Sequence, residues 1–230
     1  MNIIKELKKG RLYLDGGMGS LIQQKIKNPG PVPELLNLTH PQQIGEIQNA
    51  YVQAGANIII SNTFGANRYK MKAVPESVGQ VIAAAVEIAR KQHPDFVALD
   101  IGPIGALIGD LGDLSFEEAK AIFAEMVEAG VKAGVDLVMI ETMTDIYEAR
   151  AAVLAVKENS DLPVIASMSY EANGRTLTGS DPLTVVTILE SLGVDAIGIN
   201  CSTGPEQMLP LIDQLVEAAS VPLAVEPNAG

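Results

Sequence analysis

Seven short apolar runs recur along this chain, each ending in polar or glycine-rich residues and separated from the next by a helical pattern. They span residues 12–15, 57–61, 96–100, 137–141, 164–168, 196–200 and 223–226. Most are near-continuous stretches of Val, Ile, Leu and Ala, the pattern of strands buried on both faces of a parallel sheet. Helical spacing fills the intervals, as over 79–91 and 145–158. Ser115-Phe-Glu-Glu118 is a capping box that opens an amphipathic run reaching about Ala133. Gly55-Ala-Asn57, Gly134-Val-Asp136 and Gly193-Val-Asp195 form a weak internal repeat of helix, Gly-x-Asx and strand. Glycine supplies a left-handed helix stop there, and the Asn or Asp makes the turn.

Alternation of this kind allows a closed barrel or an open doubly wound sheet. Asp15-Gly-Gly-Met-Gly-Ser20 does not match the Gly-x-Gly-x-x-Gly of a dinucleotide-binding sheet. Strand ends rich in Asp, Asn, Glu and Cys suit a barrel, in which every strand delivers side chains to one mouth. The expected fold is therefore α/β, a (β/α)₈ TIM-barrel type with about seven of the eight βα units present. Residues 1–230 read as one barrel domain, incomplete at its C-terminus. Lys27-Asn-Pro-Gly-Pro-Val-Pro33 is too proline-rich for regular structure, and Asn173-Gly174 reads as a tight turn.

Net charge is −12, which disfavours nucleic acid and anionic membrane surfaces as partners. The longest apolar runs are strand-sized, well below the roughly 20 residues of a membrane span. The first ten residues are charged and lack the apolar stretch of a signal peptide. A single cysteine excludes an internal disulfide and fits a reducing compartment, so a cytoplasmic protein is expected.

In a barrel the segments after the strands would meet: Asp15-Gly-Gly-Met-Gly19, Asn62-Thr-Phe-Gly-Ala-Asn67, Asp100-Ile-Gly-Pro-Ile-Gly105, Glu141-Thr-Met-Thr-Asp145, Ser167-Met-Ser-Tyr170, Asn200-Cys-Ser202 and Glu226-Pro-Asn-Ala-Gly230. Such a mouth holds three or four carboxylates, several amides and one thiol, and suits a small zwitterion. Each residue also has a plainer reading. A lone cysteine is ordinarily a small buried hydrophobe, although Cys201 sits at a strand end. Gly16, Gly17 and Gly19 taken alone make a plain turn, and Asp100 or Glu141 serve equally well as caps. His40 and His93 each precede a proline away from the strand ends, so no Ser-His-Asp or Cys-His set is available. Cys201 as a nucleophile lacks an obvious base.

Taken together the strand ends resemble the homocysteine S-methyltransferase family, and within it the homocysteine-binding domains of cobalamin-dependent methionine synthases. The segments that carry the resemblance are Leu14-Asp-Gly-Gly-Met-Gly-Ser20, Pro33-Glu-Leu-Leu-Asn-Leu38, Asn62-Thr-Phe-Gly-Ala-Asn67 and Asp100-Ile-Gly-Pro103. They continue with Glu141-Thr-Met-Thr-Asp145, Gly174-Arg-Thr-Leu-Thr-Gly179, Gly198-Ile-Asn-Cys-Ser202 and Glu226-Pro-Asn-Ala-Gly230. They occur in the family's order and cover nearly the whole chain.

The resemblance implies a zinc-dependent barrel that moves a methyl group to the sulfur of homocysteine, giving methionine. Zinc favours the thiolate form of the substrate and keeps one position open for it. Cys201 would be a zinc ligand and the catalytic thiolate, with Asn228 near the metal. Glu141 would hold the substrate ammonium group. Asp15, Gly17, Met18, Asn62 and Ser169 would line the substrate pocket. The implied donor is methylcobalamin on a corrinoid-carrying domain or protein, with S-methylmethionine and betaine as alternatives used by relatives.

One departure stands out. The family's other two zinc ligands are a Cys-Cys pair in a Gly-Gly-Cys-Cys-Gly motif, and this chain has no such motif. The expectation is a piece truncated after the seventh strand, with an open edge, marginal stability and a tendency to self-associate. The alternatives are a corrinoid-linked methyltransferase for another thiol or amine, and a non-catalytic amino-acid-binding module.

Overall fold

The computed structural model describes residues 3–109 and 112–228. Ala229 and Gly230 of the last strand-end motif lie outside the described residues. Helices and strands follow one another as α1 (Ile3–Leu7), α2 (Met18–Lys25), a 3₁₀ turn (Pro33–Leu35), α3 (Leu36–Thr39), α4 (Pro41–Ala54), β1 (Ile58–Ile60), α5 (Val78–Arg90), β2 (Phe96–Ile101), α6 (Phe116–Ala133), β3 (Leu137–Met143), α7 (Ile146–Asn159), β4 (Val164–Met168), α8 (Pro182–Ser191), β5 (Ala196–Asn200), α9 (Pro205–Ala218) and β6 (Leu223–Glu226). The six strands form one parallel sheet in the order β1-β2-β3-β4-β5-β6. Each pair is joined through a helix, the arrangement of a partial (β/α)₈ barrel.

The Gly-x-Asx repeat does more than stop helices. Gly55, Gly134 and Gly193 have φ of 105°, 85° and 76°, values that glycine adopts without penalty. Each following Asx then clamps the segment before it from both sides. Asp136 donates its N–H to the Val97 carbonyl (2.9 Å) and its Oδ2 accepts the Val97 N–H (2.7 Å). Asp195 does the same to Val164 (2.8 and 2.9 Å), and Asn57 to Tyr13 (2.8 and 3.0 Å). Backbone donors at the starts of β2 and β4 are thereby satisfied. The predicted capping box forms as well: the Ser115 hydroxyl accepts from Glu118 N, and the Glu118 carboxylate accepts from Ser115 N.

The strand expected over 12–15 is reduced to a single parallel bridge, Leu14 to Ile58. The reason is local. Tyr13 N–H goes to the Asn57 side chain, and Ile60 N–H goes to Asp15 Oδ2 (3.0 Å). Side chains occupy the places of the rungs that would extend the ladder. Among the described residues β6 pairs with β5 alone.

Alternation along each strand builds two layers. Ile59, Val97, Leu99, Val138, Ile140, Ala166, Ile197 and Ile199 face the helices and pack with Ile82, Phe123, Met126 and Val153. Ile58, Ile60, Phe96, Ala98, Leu137, Met139, Ile165 and Ala196 face inward, and Ile3 of α1 packs on them. The same inward register, continued to the C-terminal strand ends, places Asp100, Glu141, Ser167, Asn200 and Glu226 above this apolar floor.

Candidate active site

A cavity of about 960 Å³ sits on that polar layer. Asp15, Gly17, Met18, Asn62, Glu141, Cys201 and Asn228 all line it, so seven of the eight expected site residues converge. Ser169 does not reach the lining. Its hydroxyl donates to the Asn200 carbonyl (2.9 Å) and its N–H to Met143 O (2.8 Å), which turns it back into the strand ends. The cavity also runs down past Leu12, Leu14, Leu223 and Ala224, between β6 and the 12–15 segment.

The glycine motifs have steric causes. A Cβ on Gly102 would lie 2.4 Å from the Phe64 ring, which lines the cavity. A Cβ on Gly16 would lie 2.9 Å from the Tyr51 hydroxyl. Both glycines let an aromatic side chain pack flat against a strand end. Asn62 spends its amide on structure: its Nδ2 donates to Asn37 Oδ1 (3.1 Å), and Asn37 Nδ2 donates to Asn62 O (2.8 Å). This exchange ties the 33–38 motif to the end of β1. It also delivers Glu34, whose Oε1 accepts from Gly65 N (2.6 Å), to the cavity wall.

Five carboxyl groups line the cavity, Glu34 at its wall and Asp15, Asp100, Glu141 and Glu226 beside one another at the strand ends. Burial pushes the Asp15 carboxyl well above the usual range, helped by the charges of Glu141 and Glu226. Burial raises Asp100 as well, and its contact with Glu141 adds to the shift. Burial raises Glu141, while hydrogen bonds from Asp100 and Asn200 oppose the rise. The two carboxyl groups thus titrate as a pair that holds a proton more tightly than either would in water. Glu226 is pushed up to about 8 by burial and by Glu141. Asp100 Oδ1 and Glu226 Oε1 are buried without a hydrogen-bond partner. Such a site favours a cation, which would restore ionisation and occupy the orphaned oxygens.

The thiol lines the same cavity. Cys201 has φ of 50° and Thr142 has φ of 59°, left-handed values that cost non-glycine residues energy and concentrate at functional sites. The Thr142 hydroxyl points at Cys201 Sγ (3.7 Å). Burial pushes the Cys201 thiol up, and Glu141 and Glu226 add to the rise while Thr142 opposes it.

Asn200, buried to 1% exposure, links the two halves of the site. Its Nδ2 lies 2.9 Å from Glu141 Oε2, 2.9 Å from Thr142 Oγ1 and 3.6 Å from Cys201 Sγ. Sequence reading set Asn200 among the strand ends at the mouth and gave it no role. The signal that finds it is the inward register shared with Asp100, Glu141 and Glu226. The same register recovers Asp100 and Glu226.

Among the described residues no group of three or more His, Cys, Asp or Glu side chains is arranged to hold a metal. Cys201 offers one thiolate, and Asn228 an amide oxygen. A catalytic zinc takes three protein ligands, so the described residues do not fit the metal on their own.

A sequence profile of the family described as homocysteine S-methyltransferase matches residues 12–230. The methionine synthase of Mycobacterium leprae (strain TN) is 30% identical over 251 aligned positions, covering all of this chain and 21% of that protein. The methionine synthase of Mycobacterium tuberculosis (strain ATCC 25618 / H37Rv) is 30% identical over 237 positions, covering 94% of this chain and 20% of that protein. The chain thus spans about a fifth of the length of the curated relatives it matches. The oxidized form of the homocysteine methyltransferase MmuM from Escherichia coli superposes with a TM-score of 0.89 at 25% identity, covering 100% of this chain and 87% of that one. With the profile matched from the first glycine-rich strand end to Gly230, the chain belongs to the homocysteine S-methyltransferase family.

Proposed function

We propose that the cavity binds homocysteine and that the chain is the homocysteine-binding barrel of a methyltransferase that forms methionine. One observation carries this reading: the Glu141 carboxylate and the Cys201 thiol face one cavity and share the amide of Asn200. An amino acid with an ammonium group at one end and a sulfur at the other is matched at both ends. Asp15 and Glu141 receive the ammonium, and the burial that lifts their ionisation is relieved by it. Gly17 and Met18 form the wall beside it, and the substrate sulfur faces Cys201 and Asn228.

Zinc belongs to this proposal only together with ligands from outside the described residues, which supply one thiolate. The methyl donor is methylcobalamin on a corrinoid-carrying domain or protein, supported by the 30% identity to methionine synthases. Among the described residues no helix is long and apolar enough to cross a membrane. The reading sets the chain in the cytoplasm, where a free thiol such as Cys201 stays reduced.

The lone thiolate favours a second reading, an amino-acid-binding module that transfers no methyl group. One assay separates them. The reduced protein, together with the segment or chain that supplies the further zinc ligands, is incubated with L-homocysteine, methylcobalamin and zinc, and methionine is quantified. Methionine formation that is lost in Cys201→Ala supports transfer. Homocysteine binding without methionine formation supports the binding module, and absence of binding contradicts both.

A further inference from the structure

The orientation of the Asn200 side chain is over-determined. Its Oδ1 accepts from Thr142 N–H (3.0 Å) and from the Ser167 hydroxyl (3.1 Å). Both donors lie on neighbouring strands β3 and β4, and Ser167 is fully buried. Reversing the amide would set its N–H groups against the Thr142 N–H, and its oxygen against the Glu141 carboxylate. The amide nitrogen is therefore directed at Glu141 Oε2 (2.9 Å) and Thr142 Oγ1 (2.9 Å), with Cys201 Sγ at 3.6 Å. An amide nitrogen carries two hydrogens, so three acceptors contend for two donors.

Besides its contact with Asp100, the Glu141 side chain takes a hydrogen bond from the Asn200 amide. Its neighbour Asp100 is a second carboxyl group, which offers at most a shared proton. Left without the amide, the carboxylate could rotate toward Asp100 and away from the cavity. The left-handed backbone at Thr142 is held by the same side chain, through Thr142 N and Thr142 Oγ1.

We infer that Asn200 is the positioning residue of this site: its amide aims the Glu141 carboxylate at the ligand's ammonium group and sets the span between that carboxylate and the Cys201 thiol. The inference rests on the amino-acid-binding reading above. Asn200 acts on the ligand through Glu141, with Ser167 as the residue that keeps the amide from reversing. Selectivity for an ammonium group is then a property of this buried amide as much as of the carboxylate it holds.

The test compares L-methionine with its deaminated analogue, 4-(methylthio)butanoate, by calorimetric titration of the whole chain. Methionine needs no metal and no free thiol, so the readout is independent of methyl transfer. The wild type is expected to prefer methionine. Asn200→Leu, which keeps the volume and removes every donor, should lower methionine affinity about tenfold or more, as expected for a lost hydrogen bond to a charged group. Its affinity for the analogue should stay within about twofold, since the analogue carries no ammonium for Glu141 to receive. Ser167→Ala is the second variant, because it preserves the fold if Asn200→Leu unfolds. It should lower methionine affinity about threefold, again sparing the analogue, by removing one of the two bonds that orient the amide. Equal losses for both ligands in a folded variant would make Asn200 a structural residue and overturn the inference. Unchanged methionine affinity in both variants would overturn it too. A wild type that binds neither ligand would overturn the amino-acid-binding reading itself, and this inference with it.

Discussion

Asp136 and Val97 exchange both of their hydrogen-bonding groups: Asp136 N–H donates to Val97 O at 2.9 Å, and Asp136 Oδ2 accepts from Val97 N–H at 2.7 Å. The pairing sits where β3 begins beside β2, and Asp195 repeats it on Val164. Asp136→Ala leaves a partly buried N–H without its acceptor, and should destabilise the chain by about 1–3 kcal/mol in urea denaturation. The Arg90–Asp136 ion pair (2.7 Å) is partly exposed and adds little to that figure. A loss below about 0.5 kcal/mol would show that water replaces the carboxylate at no cost.

Gly102 is a second steric test. A Cβ there would meet the Phe64 ring at 2.4 Å, so Gly102→Ala must displace the ring or the strand end. Overpacking of this kind costs about 1–3 kcal/mol. Because Phe64 lines the cavity, ligand affinity should fall along with the melting temperature. Loss of stability with intact affinity would place the adjustment elsewhere.

Stability should also fall with rising pH through Glu148. Its carboxyl is pushed from 4.5 up to about 7 by burial, opposed by the bond from Ile104 N–H and by Lys70. Between those two values the native state holds a proton that the unfolded chain has released. Protons bound in the unfolded state are then fewer than in the native state, so stability declines as pH rises across that window. The slope is at most about 1.4 kcal/mol per pH unit from this one group. Glu148→Gln keeps an acceptor for Ile104 N–H and removes the titration. The difference in unfolding free energy between wild type and variant, followed from pH 4.5 to about 7, should therefore shrink in the wild type's disfavour. A pH-independent difference would contradict the assignment.

The edge strand β6 yields a further prediction. Val225 is 40% exposed on a strand that, among the described residues, has one neighbour. Unpaired strand edges promote association. Sedimentation of the 230-residue chain should show concentration-dependent self-association that Val225→Lys reduces. A monomer at all concentrations would show the edge to be already protected.

Much of this was legible in the sequence, for physical reasons. The Gly-x-Asx repeat marks helix ends because only glycine suits the left-handed stop at Gly55, Gly134 and Gly193. Strands β4 and β5 match the apolar runs residue for residue, since strands buried along their whole length are mostly apolar, and the partly exposed β6 matches as well. The 12–15 segment looked the same, yet side chains of Asn57 and Asp15 replaced its rungs, and composition does not reveal which group supplies a hydrogen bond. Asp15, Glu141 and Cys201 were visible as polar residues ending apolar runs. The role of Asn200 was hidden because its partners lie 58, 59 and 33 residues away, in Thr142, Glu141 and Ser167. Ser169 was misplaced because the inward alternation stops at Ser167, beyond which the chain turns back to bond Met143 and Asn200.

The central claim is that Glu141 receives an amino-acid ammonium group in this cavity, and its direct measurement is a calorimetric titration of the reduced protein with L-homocysteine, beside Glu141→Gln. The account predicts saturable binding of one homocysteine per chain, weakened about tenfold or more in the variant as a charged hydrogen bond is lost. Equal affinity in wild type and variant, or no binding by either at millimolar ligand, would contradict it.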